Sequence, residues 1–341
     1  MECCWNVGGR VLSKLAFLFP GQGSQFVGMG KDLAQSHSLF HETIEEAEDL
    51  LRLPIKKAMF EGPSSLLLRA DICQIAVFSM SVALVRVLEE KFPSLLPDYC
   101  AGLSVGEYSA LYASKMAHFS DLLELVACRA QLMQSACAEE KSTMAAVMGG
   151  SLEVVQELIG QSGVEVFIAN YNAPTQIVIG GAPNAVAQFS KFVRSAKRMK
   201  CIPLEVDGAF HTRFMQKAAE KLAPYIDTLS LSVGQSTLIA NVTGKAVSAD
   251  AEESNVFLLD RYRQDLAQHM CTAVQWAPSI ELMKHERVKL FVEIGCGSVL
   301  SSLNRRNGVK FPTLAIHNTE TLDQVLKQLE PYAKERLYGG Y

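Results

Sequence analysis

The sequence predicts an α/β protein, with a doubly wound, mostly parallel sheet and a smaller subdomain inserted into it. The first observation is a recurring unit in which an apolar run of strand length ends in a glycine-containing turn, at residues 15–23, 100–106 and 290–297. The second is a complete β-α-β-β-α-β order of patterns between residues 144 and 206. Continuous apolar runs are typical of strands covered on both faces. We expect a binding site at the carboxyl ends of the parallel strands.

The bulk composition excludes several classes of protein. With 341 residues, 49% of them hydrophobic, the chain can bury one large core or two adjoining ones. A formal net charge of -4 argues against nucleic acid as the main partner, because phosphate binding needs a basic excess. Nine cysteines without a C-x-x-C pair fit neither a zinc site nor a disulfide framework. We therefore expect reduced thiols, a cytoplasmic location and no bound metal.

The N-terminal part of the chain predicts the first strand of the main sheet and the helices that follow it. Residues 1–14 lack the apolar core of a secretory signal and predict a flexible N-terminal extension. Leu15 to Phe19 predicts the first strand, and the Pro-Gly-Gln-Gly that follows predicts a turn. Residues 31–53 and 64–91 have helical patterns, and the longest apolar run, Ile75 to Val85, is too short to cross a bilayer. We expect no membrane contact and assign residues 15–140 and 208–341 to the subdomain that contains the main sheet.

Residues 141–207 predict a ferredoxin-like inserted subdomain. The order of patterns is strand, helix, two strands, helix and strand, which is that motif's order. Ser151 stands where it can cap the first helix. The successive segments are "MAAVMGG", "SLEVVQELIGQSG", "VEVFIANYN", "QIVIGG", "APNAVAQFSKFVRSAK" and "KCIPLEV". Two further strands follow in "STLIANVTG" and "VKLFVEIGCGSVL", and a helix in "TETLDQVLKQLEPYAKERL".

Ser104 is the candidate nucleophile. It lies in "GLSVGE", a G-x-S-x-G spacing between a predicted strand and a predicted helix, which is typical of a nucleophile elbow. Gly102 and Gly106 would relieve crowding at such a turn, and the N–H of Val105 would point to where an oxyanion forms. The same spacing also fits a plain buried turn. A reactive serine needs a base, because its free hydroxyl is a poor nucleophile.

His211 is the candidate base among seven histidines. It follows the last strand of the inserted subdomain in "DGAFHTRFM", where Gly208 and Ala209 allow close approach to another element. Its place after Ser104 agrees with the chain order of α/β-hydrolases. The alternative is a histidine that merely packs in the core.

Six ordered motifs make a resemblance specific. They are "FLFPGQGSQFVGMG", "GLSVGEYSAL", "CRAQLMQSA", "GAFHTRFM", "AVQWAPSI" and "VEIGCGSVL", spread from residue 17 to residue 300. With the inserted subdomain, they resemble the malonyl-CoA:acyl carrier protein transacylase family. The resemblance implies an α/β-hydrolase-like catalytic subdomain, malonyl-CoA and an acyl carrier protein as partners, and no cofactor.

The resemblance also assigns the reacting groups. It implies that Ser104 accepts the acyl group, that His211 is the general base, and that the N–H groups of Val105 and Gln22 form the oxyanion hole. In this family a backbone carbonyl orients the histidine, and the matching position falls near His269, with Gln268 beside it. The carboxylates left open as alternative partners of the histidine are Asp207, Asp260 and Glu293.

Three more residues match positions that line the family's substrate pocket, and a fourth departs from the family. Arg129 matches the arginine that holds the free malonyl carboxylate, although an arginine within a helix is more often a surface residue. Phe210 matches an aromatic that narrows the pocket against a methyl branch, and Gln74 matches a glutamine that lines the site. Leu103 departs from the family, which usually has histidine beside the nucleophile.

The expected function is ping-pong transfer of a malonyl group from malonyl-CoA to the phosphopantetheine thiol of an acyl carrier protein, in fatty acid biosynthesis. Alternatives are a discrete malonyl transferase that serves a polyketide synthase and, less favoured, an acyl-carrier hydrolase. Carrier proteins are acidic, and Lys191, Arg194 and Arg198 share one predicted helical face that could dock them. A solvated helix end would look the same. We expect a monomer.

Overall fold

Five parallel strands form the main sheet of the computed structural model, which describes residues 13–197, 199–247 and 254–338. The strands are β1 (Lys14–Phe19), β2 (Tyr99–Gly102), β7 (Thr237–Ile239), β8 (Val288–Ile294) and β9 (Thr313–Ile316). Their order is β7-β2-β1-β8-β9, and every neighbouring pair is parallel. The strand order changes direction between β1 and β8, so the sheet is doubly wound, as predicted.

Both faces of the main sheet are buried, which explains the continuous apolar strands. Leu15 and Phe17 of β1 pack into one core, whereas Ala16 and Leu18 pack into a second core on the other face. The helices around the sheet before the inserted subdomain are α1 (Lys31–Ser36), α2 (Ser38–Leu51), α3 (Ile55–Glu61), α4 (Ser64–Leu68), α5 (Ala70–Lys91), α6 (Gly106–Ala113) and α7 (Phe119–Glu139). After the subdomain come α10 (Gln216–Asp227), α11 (Asn255–Gln268), α12 (Trp276–His285), α13 (Val299–Arg306) and α14 (Thr319–Tyr338).

The longest apolar run lies in α5, which crosses the larger core. Of the helices in the described residues, α5 alone has the length and hydropathy that a membrane span would need, and most of it is buried inside the protein. The observation agrees with the predicted buried helix.

The inserted subdomain is a four-stranded antiparallel sheet with two helices. Its strands are β3 (Thr143–Met148), β4 (Val166–Ala173), β5 (Gln176–Gly181) and β6 (Lys200–Pro203), in the order β4-β5-β3-β6. Its helices are α8 (Leu152–Ser162) and α9 (Pro183–Lys197). Ser151 caps α8 by accepting a hydrogen bond from the Val154 N–H at 3.4 Å. The subdomain has its own apolar core, and its arrangement is the predicted ferredoxin-like one.

Some predicted boundaries differ from the structure. Lys14, which the sequence assigns to the N-terminal extension, begins β1, while residues 1–12 lie outside the described residues. The helical segment 64–91 divides at Arg69, whose backbone is extended (φ -67°, ψ 132°). The sequence did not predict β9, because its four residues follow a proline and carry too little alternation to indicate a strand.

Candidate active site

The turn after β2 holds Ser104 in a strained position. Its φ angle is 55°, in the left-handed region that costs a residue with a side chain about 1–2 kcal/mol. A Cβ atom on Gly102 would lie 2.0 Å from the Gly106 carbonyl, and one on Gly106 would lie 2.2 Å from the Phe19 oxygen. Both positions therefore require glycine, because backbone atoms of β1 and α6 fill the space. The turn presents a partly exposed serine at the carboxyl edge of the sheet.

The His211 ring lies directly against this serine. Nε2 of His211 is 2.8 Å from Oγ of Ser104, and Nδ1 is 2.8 Å from the carbonyl oxygen of His269. A carbonyl can only accept, so Nδ1 carries the proton and the Nε2 lone pair faces the serine hydroxyl. Burial, together with the nearby Arg129 cation, lowers the pKa of His211 to about 3. The imidazole is therefore neutral at neutral pH, which is the form a general base needs.

The chain segment leaving the inserted subdomain delivers His211. A Cβ atom on Gly208 would lie 2.4 Å from Sγ of Cys137, so the segment packs tightly against α7. His211 itself has a φ angle of 60°, and its N–H donates to the Met270 carbonyl at 2.9 Å. Two strained residues, Ser104 and His211, thus face each other across the site. Strained backbone of this kind concentrates at functional sites.

The three carboxylates considered as partners of His211 are elsewhere, and both ring nitrogens of His211 have the contacts given above. Asp260 pairs with Arg263 at 3.0 Å. Glu293 accepts hydrogen bonds from the N–H groups that begin α13. Asp207 is exposed. Of the two residues predicted near the orienting carbonyl, His269 supplies it, whereas the carbonyl of Gln268 accepts from the Cys271 N–H.

Arg129 extends from α7 into the site. The residue is 0% exposed, so the surface alternative is wrong. Its Nη2 donates to Oγ of Ser104 at 3.1 Å, and its Nη1 donates to Oε1 of Gln74. Its Nε has no hydrogen-bond partner among the described residues. Burial lowers the pKa of Arg129, but a guanidinium stays protonated, so the site holds a buried cation that an anion would stabilise.

The glycine-rich loop after β1 lies against the serine turn. A Cβ atom on Gly21 would lie 2.4 Å from the Leu103 oxygen and 3.5 Å from Cβ of Ser104. Gln22 follows directly, and its Oε1 accepts from Nε2 of Gln74 at 3.4 Å. Val105 is the N-cap residue of α6, a position whose N–H has no partner within the helix. The backbone near Ser104 therefore offers donors for an oxyanion.

The remaining predicted residues lie in different surroundings. Phe210 is buried next to His211, and Leu103 is partly buried against the core beneath the sheet. Lys191 and Arg194 are exposed on α9, and Arg198 lies outside the described residues.

Sequence reasoning missed Asn241, which follows β7. Its Oδ1 accepts from the Ser104 N–H at 2.9 Å, and its Nδ2 donates to the Gly102 carbonyl at 2.6 Å. The only signal was a polar residue directly after an apolar strand, at the predicted site edge. Asn241 thus holds both sides of the serine turn.

The part of the chain that the structure describes contains no group of three or more His, Cys, Asp or Glu side chains that could hold a metal ion. A cavity of about 650 Å³ in the same part of the chain is lined by residues such as Lys245, Arg261 and Asp265 and by none of Ser104, His211 and Arg129.

Taken with the site, the fold defines an acyltransferase domain, and residues 16–312 match the family described as "Acyl transferase domain". The chain is 33% identical to the malonyl CoA-acyl carrier protein transacylase of Bacillus subtilis, over 94% of this chain and 98% of that protein. It superposes on the crystal structure of the malonyl transacylase from Streptococcus pneumoniae with a TM-score of 0.84 and 32% identity, covering 93% of this chain and all of the other.

A third match is a complex between a type II polyketide synthase acyl-carrier protein and its malonyl-transacylase. It superposes with a TM-score of 0.85 and 31% identity, over 93% of this chain and 100% of the other. The chain belongs to the malonyl CoA-acyl carrier protein transacylase family.

Proposed function

We propose that this protein transfers malonyl groups from malonyl-CoA to the phosphopantetheine thiol of an acyl carrier protein. The observation that carries the proposal is the buried Arg129 guanidinium beside the Ser104–His211 pair. A fixed guanidinium offers two parallel N–H groups to a carboxylate, and malonyl has a free carboxylate whereas acetyl has none.

In the first half-reaction Ser104 becomes a malonyl ester. Nε2 of His211 takes the hydroxyl proton as Oγ attacks the thioester carbonyl of malonyl-CoA. The N–H groups of Val105 and Gln22 stabilise the tetrahedral oxyanion, each contributing about 3 kcal/mol. The intermediate collapses with breakage of the C–S bond, and the departing CoA thiolate takes the proton from His211.

The second half-reaction reverses these steps with a different thiol. The phosphopantetheine thiol of the carrier loses its proton to His211 and attacks the ester carbonyl. The C–O bond to Ser104 breaks, and the serine oxygen recovers the proton. The His269 carbonyl holds Nδ1–H throughout, so Nε2 stays directed at Ser104. These steps need no metal or redox group.

The charge and the shape of the pocket would together select the acyl group. Arg129 would favour malonyl over acetyl, because an unpaired buried cation costs several kcal/mol. Phe210 would narrow the pocket against a methyl branch. Gln74 would hold Arg129 in position through their contact.

The partner is an acyl carrier protein. One of the similar structures supports this assignment, because it is a complex between a related malonyl-transacylase and its acyl-carrier protein. Exposed Lys191 and Arg194 would form the docking surface, and Arg198, the third residue that the sequence predicts for it, lies outside the described residues. Service to a polyketide synthase is a second candidate, because the carrier in that complex belongs to one. A hydrolase is disfavoured, since hydrolysis needs no carboxylate clamp.

We also propose that the protein is a monomer and that it is cytoplasmic. Residues 15–140 and 208–341, preceded by Lys14 of β1, form its catalytic subdomain, and residues 141–207 its inserted subdomain.

Intact-mass spectrometry after mixing with malonyl-CoA tests the proposal. The wild-type protein should gain one malonyl group on Ser104, and addition of carrier protein carrying phosphopantetheine should remove it. Ser104→Ala should gain none. A wild-type protein that stays unmodified, or an adduct that persists in Ser104→Ala, would refute the assignment.

A further inference from the structure

Glu107 is a buried carboxylate that the proposed mechanism does not use. It lies in the first turn of α6, three residues after Ser104, and is 2% exposed. Placing a carboxylate there is costly unless all its oxygens are paired. The contacts of its two oxygens therefore indicate what it does.

One oxygen of Glu107 reaches the segment that holds the serine turn. Oε1 accepts from the Asn241 N–H at 3.3 Å and from the Tyr262 hydroxyl at 3.0 Å. The Asn241 side chain in turn bonds the Ser104 N–H and the Gly102 carbonyl. The Glu107 carboxyl group is thus linked to the backbone of the nucleophile through one residue, Asn241.

The other oxygen reaches the segment that orients the base. Oε2 lies 3.0 Å from Nδ1 of His269, at ion-pair distance though not aligned as a regular hydrogen bond. Neither atom has another hydrogen-bond partner among the described residues. The His269 ring is 0% exposed and stacks on the His211 ring with centroids 5.2 Å apart. Its carbonyl accepts the Nδ1–H of His211.

We propose that Glu107 is a positioning residue that ties the serine turn to the histidine segment and so fixes the contact between Ser104 and His211. Asn241 transmits the restraint to the serine, and His269 transmits it to the base. The proposal rests on the proposed function only in assigning Ser104 and His211 their roles. It also identifies the carboxylate of this site: it acts through His269 and does not touch the catalytic histidine.

The span of the side chain matters more than its charge in this arrangement. Burial raises the pKa of Glu107 to about 8 and lowers that of His269, so the uncharged forms of both are favoured. A neutral side chain of equal length should therefore bridge the two segments. A shorter side chain with the same carboxyl group should reach only one of them.

The test compares Glu107→Asp with Glu107→Gln by two single-turnover rates on the whole chain. The first is loading with malonyl-CoA, and the second is phosphonylation by a fluorophosphonate, in which the serine oxygen displaces fluoride. Glu107→Asp should slow both rates by about ten- to a hundredfold, because a shift of about 1 Å in reacting groups has that effect. Glu107→Gln should restore both to within about fivefold of wild type, with KM for malonyl-CoA little changed.

Tyr262→Phe is the matched control, because it removes one donor to Oε1 and leaves the contacts with Asn241 and His269 in place. It should react at the wild-type rate. If it loses as much as Glu107→Asp, or if Gln is slower than Asp, the positioning role is wrong. Wild-type rates in Glu107→Asp would also overturn it.

A second variant covers the case in which Glu107 variants do not fold. His269→Ala keeps the carbonyl but removes the ring that Glu107 holds, and it should slow both reactions by about tenfold. An unchanged rate would overturn the proposal. If the wild type reacts with the fluorophosphonate but not with malonyl-CoA, the proposed function fails, while the phosphonylation rates still test Glu107.

Discussion

The carboxyl edge of the main sheet and the inserted subdomain differ in backbone strain and in buried ionisable groups. At the edge, the chain places two strained residues, Ser104 and His211, against three buried ionisable groups, Arg129, Glu107 and His269. The subdomain has regular antiparallel pairing, its own apolar core and exposed charges on α9. Two of the five described non-glycine residues with a left-handed φ, and the buried Arg129 cation, lie where the chemistry is proposed, and none of the five lies in the subdomain. The subdomain can be regular because it supplies none of these reacting side chains and leads into the segment that carries His211.

A methyl group added at Gly102 should destabilise the carboxyl edge of the main sheet, whereas one added at Gly160 should not destabilise the inserted subdomain. In Gly102→Ala the new Cβ would lie 2.0 Å from the Gly106 carbonyl, and backbone atoms cannot move aside cheaply. We expect a loss of at least about 3 kcal/mol in the free energy of unfolding, or failure to fold. Urea denaturation measures the change.

Gly160→Ala in α8 is the control for this variant. Apart from its chain neighbours and the adjacent backbone of α8, no described atom lies within 4 Å of the position its Cβ would take, and alanine is the better helix former. The stability should rise by about 0.5–1 kcal/mol. Equal losses in the two variants would contradict the contrast between the regions.

Local patterns in the sequence predict the elbow, but not the network behind it. Gly102, Ser104 and Gly106 are close in sequence, so their spacing alone indicates a sharp turn. Asn241 and Glu107 meet only after the chain folds, 134 residues apart, and no local pattern joins them.

For Arg129 and His211, the resemblance to the family indicated contacts that the spacing of residues in the sequence could not. Arg129 reads as a surface residue by its helical position, and only tertiary packing against α5 buries it. His211 was identified by chain order and by the small residues before it. Its partner had to come from the family's motif, since every residue has a carbonyl.

Reversing charges on the inserted subdomain should affect only the carrier step. In Lys191→Glu with Arg194→Glu, we expect the KM for an acidic carrier to rise about tenfold, because rim charges act on association. Loading from malonyl-CoA should stay unchanged, as both residues are exposed on α9.

The matched control changes the same charge elsewhere, in Lys31→Glu with Lys327→Glu, both exposed. This variant should keep the wild-type KM for the carrier. An equal rise in both double variants would mean that net charge, not the α9 surface, sets the affinity.

Acidification should change the loading rate least. The pKa of His211 is lowered to about 3, so the base stays neutral from pH 7.5 to pH 5. The kcat/KM for malonyl-CoA should vary by no more than about twofold, whereas a histidine of ordinary pKa would lose about thirtyfold at pH 5.

The same shift acts on stability with a defined sign. Below pH 6.5 the unfolded chain binds a proton at His211 that the folded chain does not, so stability falls as the pH falls. Measuring the melting temperature at each pH separates this loss of stability from a change in kcat/KM, because it shows whether the protein is still folded. A thirtyfold fall in kcat/KM while the protein stays folded would show that His211 titrates normally.

The ratio of kcat/KM for malonyl-CoA to that for acetyl-CoA, in wild type and in Arg129→Ala, tests the central claim most directly. The account predicts a strong preference for malonyl in the wild type. In the variant, it predicts a loss of about 3 kcal/mol of that preference, with faster acetyl loading of Ser104. An Arg129→Ala protein that keeps the wild-type ratio would contradict the account.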